Sequence, residues 1–189
     1  MPHNIFTMNE QDIINLIQSD KWMMDVLREA ERLNLPEWMI GAGFLRNKVW
    51  DHLHGIKRNI ADTNDIDLVY LDAEKISEES DYALSEKMSG ALGLRWEIKN
   101  QAYMHTRHNH QPYKSTAKGI SHWVETPTCV AVTLNKGEPK IIAPHGIDDL
   151  VNLIIRPTPT RTADLALFYK RIEEKEWLSK WPKLKVVVD

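Results

Sequence analysis

The stretch from Trp38 to Tyr70 constrains this chain more than any other. An apolar run, Trp38-Met39-Ile40, enters the small-residue turn Gly41-Ala42-Gly43. The turn opens a helical pattern with Phe44, Leu45, Val49 and Leu53 apolar, and after a polar loop at Arg58–Asn64 a second apolar run carries Asp65 and Asp67. Small residues let backbone N–H groups approach a ligand closely. At a helix N-terminus those groups and the helix dipole favour a phosphate. Asp65 and Asp67 are two apart, so on a strand both carboxylates share one face and Ile66 and Leu68 take the other. Two convergent carboxylates suit a hard cation such as magnesium, with manganese as the alternative. A phosphate cradle beside a metal site points to nucleotide chemistry.

Around this stretch the periodicities alternate between helix and strand. Asn9 or Thr7 can cap a first helix bearing Ile13, Ile14 and Ile17, and Asp20 a second bearing Met23, Val26 and Leu27. Asp72 to Gly93 reads as loop and helix with an apolar stripe of Tyr82, Leu84, Met88 and Leu92, its acidic run Glu74 to Asp81 forming a solvated face. Leu94 to Gln101 reads as a strand with Glu97, Lys99 and Gln101 on the face opposite Trp96 and Ile98. Tyr103 to Pro127 reads as a polar, aromatic loop with a short helix at Ala117–His122. Asn135-Lys136-Gly137-Glu138 joins a hairpin, Pro144-His145-Gly146 opens a short helix, Val151 to Arg156 is a last strand, and Ala163 to Glu176 a terminal amphipathic helix. The expectation is one α/β (α+β) domain over residues 1–189 with a mixed sheet, residues 103–189 elaborating its core.

Composition excludes some classes. A formal charge of -3 gives no overall footprint for tight non-specific nucleic-acid binding. Cys129 is the only cysteine, so there is neither a disulfide framework nor a cysteine zinc site. It falls in an apolar run and reads as a buried thiol. No apolar run approaches the ~20 residues of a membrane span, and residues 1–8 lack the pattern of a secretory signal, so the expected compartment is the cytoplasm. His105, His108 and His110 share no strand or helix register and do not read as a metal cluster.

Gly41-Ala42-Gly43-Phe44-Leu45-Arg46 followed by Asp65-Ile66-Asp67 resembles the head-domain signature of the DNA polymerase β-like nucleotidyltransferases. The similar branch is that of CCA-adding enzymes and poly(A) polymerases, with Gly-Gly-x-x-Arg and then Asp-x-Asp. Ala42 replaces the first glycine, which tests the turn. Further segments resemble a family of small bacterial nucleotidyltransferase-like proteins of unassigned substrate: Val49-Trp50-Asp51, Trp96 to Gln101, Ala143 to Gly146, Asp148-Asp149-Leu150, and the Trp177 and Trp181-Pro182 end.

The resemblance implies a polymerase β-like core and transfer of a nucleoside monophosphate from a nucleoside triphosphate to an acceptor, with two magnesium ions. It implies a third carboxylate on a neighbouring strand, for which Glu97 fits the alternation; an ion pair with Lys99 or an arginine is the competing role. Asp65, Asp67 and Glu97 are then the catalytic and metal-binding set. Gly41, Ala42, Gly43, Arg46 and Lys99 are the nucleotide- and phosphate-binding set. Arg46 could instead pair with an aspartate and fix the loop, and Lys99 could serve a structural hydrogen bond. Trp123 is placed to stack on a base. Two other classes stay open: a nucleotide-binding module without turnover, and a metal-dependent phosphodiesterase, which needs no pyrophosphate cradle. The acceptor, whether small molecule, RNA or protein, and the oligomeric state are not legible in the sequence.

Overall fold

The computed structural model describes residues 8–57, 65–89, 93–162 and 165–188. The loop expected at Arg58–Asn64, along with Thr7, Leu92 and Ala163, lies outside them. Two amphipathic helices come first. α1 (Glu10–Gln18) starts at Asn9, whose side chain accepts from the Asp12 N–H while the Asp12 carboxylate accepts from the Asn9 N–H. This reciprocal cap satisfies donors the helix cannot satisfy itself. α2 (Lys21–Glu31) starts at Asp20, which accepts from the Met23 N–H. Their apolar stripes, Ile13 and Ile17 with Met23, Val26 and Leu27, are completely buried.

These helices, with α3 (Gly43–His54), cover one face of a mixed sheet. The strands are β1 (Met39–Gly41), β2 (Ile66–Tyr70), β3 (Trp96–Asn100), β4 (Ala131–Asn135) and β5 (Glu138–Ile142), in the order β3-β2-β1-β4-β5. β2 and β3 run parallel, and the other neighbours antiparallel. The mixed α/β class expected from the alternating periodicities is the class observed. Because side chains alternate along a strand, Ile40, Leu68, Ile98 and Val132 enter the main core. Met39, Val69 and Ala131 form a smaller apolar patch on the other face with Ile120 and Trp123. Asp67, Glu97 and Lys99 stand on that second face. Between β4 and β5 the turn residues Lys136 and Gly137 have φ of 54° and 81°, the double positive φ that a two-residue hairpin requires.

α4 (Glu78–Ser89) joins the two parallel strands; Met88 enters the core and Leu84 packs against it as expected, but the rest of the expectation fails. Tyr82 is exposed, whereas Asp81, read as part of a solvated face, is completely buried. Beside Leu84 and Met88 runs a polar stripe of Asp81, Ser85 and Ser89, spaced four apart. Asp81 accepts from the Asn100 N–H at 2.7 Å, Ser85 from the Ile98 N–H at 3.0 Å and Ser89 from the Trp96 N–H at 3.1 Å. Alternate amides on the free edge of β3 are thereby satisfied by helix side chains, which closes an edge that would otherwise be open to pairing.

The strand at Leu94–Gln101 is shorter than expected. Asn100 ends it by accepting from the Ala102 N–H, and Gln101 begins α5 (Gln101–Arg107), a helix not foreseen. α6 (Thr116–Ile120) and α7 (Asp148–Val151) match the two short helices expected. β6 (Ile154–Ile155) pairs in parallel with β7 (Lys185–Val186), a strand the sequence did not reveal. α8 (Leu165–Glu174) is followed by a separate turn of helix, α9 (Trp177–Lys180), beyond the expected end at Glu176. Cys129 is buried, as expected. Among the described residues no helix is long and apolar enough to cross a membrane.

Candidate active site

A cavity of about 830 Å³ lies against the second face of the sheet. Its wall brings together Ala42, Gly43 and Arg46 from the start of α3, Asp65 and Asp67 from β2 and its approach, and Glu97 and Lys99 from β3. Residues up to 57 positions apart in sequence therefore converge because β1, β2 and β3 are neighbours.

The turn divides its labour. Gly41 ends β1, paired with Ala131, and its Cα faces Trp123; a Cβ there would lie 2.6 Å from the indole ring. Its smallness serves packing. Ala42 donates its N–H to the Val130 carbonyl at 3.1 Å, which extends the β1–β4 pairing. Phosphate donors must therefore come from the next amides, in the first turn of α3, which no side chain caps. Ala42 has φ 52° and ψ -123°, a region that glycine occupies freely and a Cβ resists. The residue that departs from the double-glycine pattern thus sits where glycine is preferred. Ala42→Gly is expected to raise stability by about 1 kcal/mol through relief of this strain, net of the entropy glycine adds to the unfolded chain. Gly41→Ala is expected to lower it by about 1–3 kcal/mol by overpacking against Trp123. Urea melts of the two variants would check the pair, and the reverse order would refute the division.

Asp67 and Glu97 are register partners in the parallel β2–β3 pair, so their side chains project from the same face as neighbours. Asp67 is pushed up to about 6, first by burial, then by the charges of Glu97 and Asp65. Arg95 partly offsets the cluster: its guanidinium lies 3.3 Å from Asp65 Oδ1 and 3.1 Å from Glu97 Oε1. Among the described residues no three His, Cys, Asp or Glu side chains close around one metal position. The donors nonetheless suit a hard cation, being all oxygen and mutually repulsive at Asp67, with Arg95 already bridging two of them.

Arg46 is buried and its surroundings explain why. It donates to Thr128 Oγ1 at 2.8 Å and to Asn47 Oδ1 at 3.0 and 3.2 Å. Its Cζ lies 4.4 Å from the Trp177 ring centroid and 5.2 Å from that of Trp50, distances at which a cation is attracted to the ring face. Burial lowers its pKa to about 10, so it stays charged. Among the described residues it forms no ion pair with an aspartate; its fixing contacts are with Thr128, Asn47 and the tryptophans. The tryptophans serve packing: Trp50 meets Trp177 and Trp181 edge to face, and Trp181 donates to Asp51 at 2.7 Å.

Sequence reasoning missed four cationic contributors to the wall, Arg161, Arg171, Lys175 and Lys180. All four come from the C-terminal third, and neither a turn nor the amphipathic periodicity of a helix says which cavity a polar side chain overlooks. Glu125 is completely buried and accepts from Arg171 Nε at 2.7 Å. His110 and His122 have ring centroids 4.4 Å apart, and His122 stacks on Tyr113 at 5.3 Å. Burial, then the neighbouring His110, lowers His122 to about 4, so it is neutral at pH 7.

A family model described as nucleotidyltransferase matches residues 28–186. No curated protein matches the sequence. Among solved structures, a protein whose NMR structure is described as revealing a CCA-adding enzyme head domain superposes with a TM-score of 0.85 at 29% identity, over 96% of this chain and 97% of that one. A CCA-adding enzyme in complex with CTP matches with a TM-score of 0.59 at 18% identity, over 93% of this chain and 43% of that one. The Thermotoga maritima CCA-adding enzyme complexed with tRNA also gives 0.59 at 18%, over 93% and 42%. The chain thus spans less than half the length of these two enzymes, and at that identity the likeness is one of fold.

Proposed function

Because the chain belongs to the nucleotidyltransferase family, we propose that it transfers a nucleoside monophosphate from a nucleoside triphosphate to an acceptor, releasing pyrophosphate. The observation that carries this reading is the placement of Asp67 beside Glu97 on the cavity wall that also holds the start of α3. Asp65 and Asp67 would hold magnesium, with Glu97 completing the ligands of a second ion. Bound there, magnesium neutralises phosphate charge and lowers the pKa of the acceptor. The free amides of the first turn of α3 receive the β- and γ-phosphates. Arg46, fixed between its tryptophans, supplies constant positive charge beneath them. Held in line, an acceptor oxygen loses its proton and forms a bond to the α-phosphorus while the bond to the β-phosphate bridging oxygen breaks.

One observation favours the binding-module reading: Arg95 already occupies Asp65 and Glu97. The two readings separate at Glu97. For a transferase, Glu97→Gln keeps most triphosphate affinity and loses transfer rate by about a hundredfold, since activating the acceptor is a transition-state task. For a binding module no transfer exists to lose. The primary experiment offers each of four labelled triphosphates, with magnesium, to a cell extract fractionated into RNA, protein and small molecules. Label appearing in one fraction, and absent with Glu97→Gln, supports transfer and names the acceptor class. The CCA-adding enzymes found with CTP and with tRNA are precedents for a triphosphate and an RNA partner; small molecule and protein are the other acceptor classes that the fractions distinguish.

A further inference from the structure

We propose that the corner between α8 and α9 forms the polyphosphate subsite of this cavity, with Lys175 as its principal contact and Lys180 and Arg171 beside it. The inference rests on the transferase reading and assigns to the C-terminal corner a task that the turn at Gly41–Gly43 cannot perform alone.

The first argument is charge. The chain as a whole is net negative, yet the cavity wall carries six cationic side chains, Arg46, Lys99, Arg161, Arg171, Lys175 and Lys180, against the three carboxylates Asp65, Asp67 and Glu97. Arg171 is paired with Glu125 and Lys180 with Glu176 at 3.4 Å, but the wall keeps cations enough to draw an anionic ligand in. A triphosphate entering beside three carboxylates needs such cations to offset their repulsion.

The second argument is availability. Ala42 has spent its N–H on Val130, and Arg46 directs its donors at Thr128 and Asn47. Lys175 forms no ion pair among the described residues, and it stands near enough to Asp67 to lower that carboxyl against the larger effects that raise it. A lysine beside the carboxylates but not committed to them is available to a ligand.

The third argument is rigidity. Glu176 takes a left-handed conformation, φ 53° and ψ 35°, which turns the chain between the two helices. Lys180 Nζ donates to the Lys175 carbonyl at 3.0 Å. The buried Trp177 anchors the corner by lying against the Arg46 guanidinium. Arg171 is held by Glu125. The cations are thus presented from a fixed corner, which reduces the ordering cost of binding.

The test compares wild type, Lys175→Met and Lys170→Met by calorimetric titration with each of the four ribonucleoside triphosphates and its monophosphate, in magnesium. Lys170 lies on α8, ion-paired with Glu174 and outside the cavity wall, and so controls for net charge. Arg171 is not chosen, because its removal would leave Glu125 buried and unpaired. Lys175→Met is expected to weaken triphosphate binding roughly tenfold. Monophosphate binding, and both ligands with Lys170→Met, should change by less than about twofold. Melting curves establish that both variants fold. Equal losses for triphosphate and monophosphate, equal losses in the two variants, or unchanged triphosphate affinity in Lys175→Met would overturn the subsite alone. Wild-type protein that binds no triphosphate would overturn the transferase reading and the subsite with it.

Discussion

Asp67→Asn is expected to abolish nucleotidyl transfer, by at least about a thousandfold, and at the same time to stabilise the metal-free protein at alkaline pH. The two effects share one cause. Burial and the neighbouring Glu97 and Asp65 raise the Asp67 carboxyl from 3.8 to about 6. Between these values the folded state binds more protons than the unfolded state, so stability falls as pH rises. Below the unfolded value both states are protonated and the group costs nothing. Above the folded value the full cost is present, up to about 3 kcal/mol for a shift of this size. Asparagine carries no charge and escapes the cost. In magnesium-free buffer with a chelator, the stability that Asp67→Asn gains over wild type should therefore be larger at about pH 8 than at about pH 4. The difference between variant and wild type cancels the histidines, whose lowered values, that of His122 above all, make stability rise with pH over the same range. Urea melts at the two pH values would measure it. A gain that is the same at the two pH values would show that the carboxylates do not strain the free protein. Such a cost is what a site awaiting a cation should carry.

The geometry of the candidate site was legible wherever one short stretch encodes both spacing and face. Asp67 and Glu97 were legible as wall residues because strand alternation sets their side of the sheet, and the parallel pairing then makes them neighbours, with Asp65 just ahead of β2. Arg46 was legible as a site residue, but its setting between Trp50 and Trp177 was not, since Trp177 arrives from a helix 131 positions later. The double role of the turn was equally hidden. Whether a glycine serves a phosphate or a tryptophan depends on what packs on it, and Gly41 faces Trp123. α5, α9 and β7 were missed for a related reason: each is short, and tertiary contacts stabilise it more than its own periodicity. Asp81 failed most plainly, because an acidic run on a helix looks the same in sequence whether water or a strand edge receives it.

Asp81→Ala is accordingly expected to be the most damaging single change to the fold. The Asp81 carboxylate accepts from the Tyr70 hydroxyl at 2.6 Å, the Tyr103 hydroxyl at 2.9 Å and the Asn100 N–H at 2.7 Å, all in buried surroundings. Alanine leaves those three donors without an acceptor, at about 1–3 kcal/mol each. A total on the order of 4 kcal/mol or more is a large share of the ~5–15 kcal/mol that holds a typical domain together. If the residue lay on a solvated face, the change would be within about 0.5 kcal/mol. Asp81→Asn should fall between, because its amide keeps one acceptor oxygen but turns a donor toward another donor. The tyrosines add a pH signature. Burial, then donation to Asp81, raises both phenols above their usual value of 10.0. The unfolded chain releases these protons near that value while the folded chain keeps them, so wild-type stability should fall as pH rises beyond about 10. The consequence reaches the cavity, since the Asn100 amide held by Asp81 lies on β3, the strand that carries Glu97. In a concentration of urea that leaves Asp81→Asn folded, amide exchange along β3 should speed up more than along β1. Uniform exchange in the two strands would mean that α4 does not hold the edge of the sheet, and that Glu97 owes its place to β2 alone.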